Sequence, residues 1–165
     1  MLEAIEFTPK VGMNVFMMEF FTPSGYYRQY YNHAGNEENR TPEPVSDNQI
    51  LQWKRQCESE LAKRGLMFHD IGHGWTADSF GIDSSLRDGT ENNDALIPDE
   101  ARKFVAMING ERKMYRNRPN FTNFCMSSPE AQELFVKCVA DYAESHSNAD
   151  YLHVWLDDGT RNHCE

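Results

Sequence analysis

A helix that runs directly into a strand constrains this chain more than any other feature. Ser128 and Pro129 suit a helix start, and Ala131, Leu134, Phe135, Cys138, Val139 and Tyr142 then recur at i, i+3, i+4, i+7, i+8 and i+11. That spacing predicts one amphipathic helix. The stretch YLHVWLDDG, from Tyr151 to Gly159, follows at once and reads as a buried strand. Leu152, Val154 and Leu156 alternate on an aliphatic face, while Tyr151, His153, Trp155 and Asp157 share a more polar one. Asp157 and Asp158 fall at the strand end, where Gly159 lets the chain turn away. An isolated Asp-Asp-Gly is also an ordinary turn signal, and the residues leave both meanings open.

The same alternation is repeated earlier. Met13 to Phe21 is a nearly continuous apolar run of strand length that carries Glu19 near its end. Ser46 and Gln49 resemble a capping box, Ile50, Trp53, Cys57 and Leu61 form one stripe, and Lys63, Arg64 and Gly65 close that helix. A second strand, Leu66 to Ile71, runs into GHGW. Strands separated by helices imply parallel pairing with right-handed crossovers. The predicted fold is therefore α/β, a partial (β/α)8 TIM-type barrel covering roughly its first half. An eight-stranded barrel needs about 250 residues, so residues 1–165 are expected to be a single domain and a fragment of a larger one. Its strand edges would then favour self-association.

Between these elements, Leu2 to Lys10 reads as a short helix, and Thr22 to Val45 as a long loop holding Tyr26, Tyr27, Tyr30 and Tyr31. Those tyrosines suit either a sugar-binding surface or simple cover for a barrel rim. Thr76 to Ile97 reads as a second long loop. A helix is expected from Pro98 through Ile108, stopped by Asn109-Gly110, and a short strand from Phe121 to Met126.

The segment LMFHDIGHGW gathers His69, Asp70, His73 and Trp75 near a strand end. His69 and His73 stand four apart, but that spacing converges on a metal only when it lies on a helix. Hydrogen bonding to a polar ligand and a purely structural role both remain open, and neither metal nor cofactor is expected. Cys57 and Cys138 sit on helix stripes and Cys125 and Cys164 near strand ends, which is no disulfide framework. A net charge of −10 argues against nucleic acid and anionic membrane as partners. No run is long and apolar enough to span a bilayer.

The order FCMSSPEAQELFVKCVADYAESHSNADYLHVWLDDGTRNHCE, preceded by INGER, resembles the bacterial domain-of-unknown-function family numbered 4838. That resemblance implies a glycoside-hydrolase-like α/β barrel and a secreted, periplasmic or cell-surface bacterial parent. More distantly, HDIGHGW, SSPEAQELF and YLHVWLDD are similar to segments of the family-20 hexosaminidases. Carried over, Asp157 would orient the substrate's acetamido group and Asp158 would be the general acid. Family 20 has Glu where this chain has Asp158; family-84 enzymes resemble it in using adjacent aspartates.

Glycoside cleavage needs a protonated carboxyl at the leaving oxygen and a second group opposite, and adjacent carboxylates push one pKa upward. The expected function is thus glycan hydrolysis, with Asp157 and Asp158 catalytic and Glu19, His69, His73, Trp75, Trp155, Arg161 and Asn162 binding a carbohydrate substrate. The alternatives are a carbohydrate-binding barrel without catalysis, and a metal-dependent hydrolase using His69, His73, Asp157 and Cys164.

Overall fold

The computed structural model describes residues 1–19, 27, 30–33, 35–84, 86 and 92–157, the side chain of Glu19 excepted. Its elements in chain order are α1 (Leu2–Phe7), β1 (Val15–Glu19), α2 (Asp47–Lys63), β2 (Met67–Gly72), α3 (Trp75–Asp78), α4 (Asp99–Arg102), β3 (Met107–Ile108), β4 (Glu111–Arg112), α5 (Pro129–Ser145) and β5 (Tyr151–Val154). Short 3₁₀ turns fill several of the gaps. Among the described residues the strands form one three-stranded sheet in the order β1-β2-β5 and one two-stranded ribbon, β3-β4. No described helix is long and apolar enough to cross a membrane.

The barrel expectation is corrected by this topology. The fold is a small mixed α/β one whose sheets do not close, and helix outweighs strand in it. The divergence begins after β2. The helix expected from Pro98 to Ile108 stops at Arg102, and Met107 and Ile108 instead pair antiparallel with Arg112 and Glu111. Asn109 (φ 55°) and Gly110 (φ 83°) supply the two positive-φ residues that a tight hairpin requires. Phe121–Met126 is likewise no strand, since Pro119–Phe121 is a 3₁₀ turn and the segment contributes a single antiparallel bridge, Val105 to Phe124.

The chain divides into two compact units. The first comprises Met1–Ile71 and Asn148–His153. Ser46 caps α2 as the sequence suggests, its hydroxyl accepting from the Gln49 amide at 3.2 Å. At the other end Gly65, with φ 63°, reverses the chain so that the Leu66 amide donates to the Leu61 carbonyl at 3.1 Å. β1 and β2 then pair in parallel from Val15 opposite Met67 to Glu19 opposite Ile71, a geometry that needs a crossover such as α2 between them.

Ile5, Met18, Cys57, Leu61, Leu66 and Phe68 form the core of this unit. Burial raises the Cys57 thiol above its ordinary range and keeps it a small hydrophobe. The buried stripe of α2 runs through Ile50, Lys54, Cys57, Glu58 and Leu61. Trp53, expected on that stripe, is half-buried and packs instead against Tyr27 and Tyr31, with ring centroids 5.5 and 5.3 Å away. Lys54 takes the inward place and donates to Asp70 of β2 at 3.0 Å, both side chains being out of solvent.

The second unit comprises Gly72–Ser147 and Val154–Glu165. Its core gathers Ala77, Phe80, Ile82, Ile97, Ala101, Phe104, Val105, Met114, Phe124 and Ala131, with Phe135 of α5 packed alongside. Ser128 caps α5, accepting from the Ala131 amide at 3.3 Å. Only Ala131 of α5 is fully buried, so its apolar stripe is shared between core and solvent.

Candidate functional site

Two glycines position the site. β2 ends at Gly72, and Gly74 (φ 104°) caps α3 in a conformation that a side chain disfavours. His73 stands between them, so the chain turns out of the sheet around it and α3 begins at once with Trp75 and Thr76. The second half of the site arrives after β5. That strand ends at Val154, three residues short of the expected position, and Trp155, Leu156 and Asp157 continue as irregular chain.

Asp157 is held through its backbone and one carboxylate oxygen. Its amide donates to the side-chain oxygen of Asn123 at 3.1 Å, and its carbonyl accepts from the Asn123 side-chain nitrogen at 3.2 Å. The Thr76 hydroxyl donates to the Thr122 carbonyl at 2.8 Å and also meets Oδ2 of Asp157. Oδ1 of Asp157 lies 3.7 Å from Nδ1 of His73. The Asp157 side chain has no exposure, whereas that of His73 is 15 % exposed. The Trp155 ring stands edge-on to the imidazole, centroids 5.3 Å apart, and is itself 38 % exposed. A buried carboxylate thus faces one nitrogen of a histidine that reaches solvent, beside an exposed aromatic ring. At that separation the two groups face each other through space without a hydrogen bond between them.

A second carboxylate lies close by. Burial raises the Asp78 carboxyl above the ordinary carboxylate range; hydrogen bonds from Ser84 oppose this, and the charges of Asp83 and Asp157 add to it. The Ser84 amide and hydroxyl donate to Asp78 at 2.9 and 2.6 Å. With the folded pKa raised, the stability Asp78 contributes is complete below its unfolded titration and lost as pH rises through the folded value. Asp78→Asn is therefore expected to gain on the parent chain as pH increases across that window. Urea midpoints of the two proteins between pH 3 and 7 measure it, and a midpoint of the variant minus that of the parent that stays constant or falls as pH rises would contradict the assignment.

Of the residues singled out from sequence, the structure brings together His73, Trp155 and Asp157. Trp75 is only 1 % exposed and lies edge-on to Tyr142 at 5.0 Å, inside the unit rather than on a pocket wall. His69 belongs to the first unit, where its Nδ1 lies 3.1 Å from Nε2 of His153. Glu19 ends β1, and its side chain lies outside the described set. Asp158, Arg161, Asn162 and Cys164 fall outside the described residues as well.

Thr76, Asn123 and Asp78 carry no sequence signal of their own, because what they hold is far along the chain or buried by the fold. Among the described residues, no group of three or more His, Cys, Asp and Glu side chains is placed to hold a metal ion. A groove of 650 Å³ in the first unit, lined by Arg55, Glu58, Ser59, Asn148 and Asp150 among others, includes none of the residues expected to bind substrate.

No family model, curated protein or solved structure matches this chain. The TIM-barrel, 4838-family and glycoside-hydrolase-family labels that the resemblance implied are corrected on that ground and on the open three-stranded sheet.

Proposed function

We propose that the second unit carries an acid–base hydrolytic site in which His73 moves the proton, Asp157 orients its ring, and Trp155 offers a flat face to the substrate. A glycan is the substrate class that such a face suits best, because a sugar ring presents apolar C–H groups to an aromatic ring and hydroxyls at its rim. The observation that carries this reading is the 3.7 Å approach of His73 Nδ1 to the buried Asp157 carboxylate.

The burial of Asp157 redistributes the roles expected from sequence. A carboxylate without exposure does not reach a substrate, so it serves by holding the imidazole. His73, with Nδ1 toward Asp157 and its side chain partly exposed, is the group placed to meet the substrate. It takes a proton as bond formation begins and returns it as the leaving group departs. Asp158 remains the proposed second carboxylate.

The test is a panel of chromogenic glycosides, with simple esters alongside, assayed with the parent chain and with His73→Gln, Asp157→Asn and Asp158→Asn. Loss of a positioned acid–base group lowers turnover about 10²–10⁴-fold, and His73→Gln is expected to show a loss of that order with its circular dichroism unchanged. Cleavage that survives His73→Gln but not Asp158→Asn would return the acid role to the carboxylate and overturn the assignment to His73. Glycan binding without any cleavage would replace hydrolysis with recognition alone.

A further inference from the structure

One face of the three-stranded sheet carries a second constellation, in the first unit and distinct in its residues from the His73 site. Side chains alternate along β2, so Phe68 and Asp70 are buried while Met67 and His69 are turned to the other side and are half-exposed. On that side Nδ1 of His69 meets Nε2 of His153 across the β2–β5 boundary at 3.1 Å. The Tyr151 ring packs 4.6 Å from the His69 ring. Met17 is the register partner of His69 on β1, which puts it on the same face, and it is 53 % exposed. Nε2 of His69 is buried and has no hydrogen-bond partner among the described residues, which leaves Nδ1 as the nitrogen available to a ligand.

We propose that His69 and His153 form a two-imidazole site for a late first-row divalent cation, Cu²⁺ above all. Imidazole nitrogens bind such ions at about 2.0–2.1 Å. Two nitrogens 3.1 Å apart, as these are, then subtend an angle of about 98° at the ion. Among divalent first-row ions, Cu²⁺ leads the affinity order for such nitrogen ligands.

Both histidines sit on strands, so little ordering is needed beyond a small turn of each ring that makes the lone pairs converge. In the metal-free pair one imidazole donates its proton to the other. Binding requires that both facing nitrogens be bare, so that proton moves to the far nitrogen of its own ring or leaves to solvent, and affinity falls as pH is lowered. Water completes the coordination sphere, with the Met17 thioether the nearest soft donor by strand register.

The experiment is a Cu²⁺ titration of the full chain, followed by calorimetry and by electron paramagnetic resonance. One ion with a two-nitrogen equatorial signature is expected. His153→Gln and His69→Gln should each weaken binding at least ~10-fold, the lower end of what disturbing a metal's ligand environment costs. His33→Gln, His73→Gln, His146→Gln and His163→Gln should leave it unchanged. In the parent protein, substoichiometric Cu²⁺ should broaden the ring resonances of His69 and His153 before those of the other four histidines, a readout that needs no variant to fold. Unchanged affinity in both of the first two variants, or first broadening at any other histidine, overturns the site.

Discussion

Lys54→Ala is expected to destabilise the first unit by about 3–5 kcal/mol, the usual consequence of removing one partner from a buried ion pair. The size of the effect follows from where the pair lies. The Lys54 and Asp70 side chains are 2 % and 0 % exposed, and the 3.0 Å bond joins α2 to the central strand. Alanine would leave the Asp70 carboxylate inside the unit without the ammonium that faces it. The pair is not for that reason a net source of stability, because both ions lost their hydration on folding. Replacing them together, with Lys54→Met and Asp70→Val, should recover most of the loss and could exceed the parent. Urea denaturation of the parent, the two single variants and the double variant gives the coupling directly. Single-variant losses below about 1 kcal/mol would mean that water reaches the pair.

Trp75→Ala should be comparably severe for the second unit, at about 3–5 kcal/mol, because truncating a buried tryptophan removes its transfer energy and leaves a large void. Trp75 is 1 % exposed, and its indole meets the Tyr142 ring edge-on. Trp155→Ala, by contrast, should cost about 1 kcal/mol or less, in line with a residue that remains substantially accessible. The contrast separates two tryptophans that sequence alone placed in one sugar pocket. Thermal unfolding of both variants, paired with the turnover assay, reads it out. Trp75→Ala should lose fold and activity together, whereas Trp155→Ala should keep its fold and lose substrate affinity. Equal stability losses for the two would undo this division.

What the sequence made legible was local. Ser46 and Ser128 cap their helices because a hydroxyl followed by an apolar period states both where a helix starts and which side it buries. The parallel pairing of β1 and β2 followed from the helix between them. The larger architecture was not legible, because counting strands from apolar runs cannot tell Phe104–Ile108 as helix from the same residues as extended chain. There the Asn109-Gly110 hairpin decided the outcome. The site shows the same limit. Its strongest contacts join Asp157 to Asn123 and to Thr76, separated by 34 and 81 positions, and no local period encodes either. His69 and His73, four apart in sequence, go to different units because two glycines turn the chain around His73, while His69 finds its partner 84 positions away.

The sheet is completed late in the chain. β2 is flanked on one side by β1, which precedes it in the chain, and on the other by β5, just before which the Asp150 carboxylate accepts from the Phe68 amide across 82 positions. During synthesis, then, one edge of β2 stays open while all of Gly72–Ser147 is being made. Folding of the first unit waits on a contact of very long loop closure. The interval is one in which an unpaired strand edge stands available to other chains.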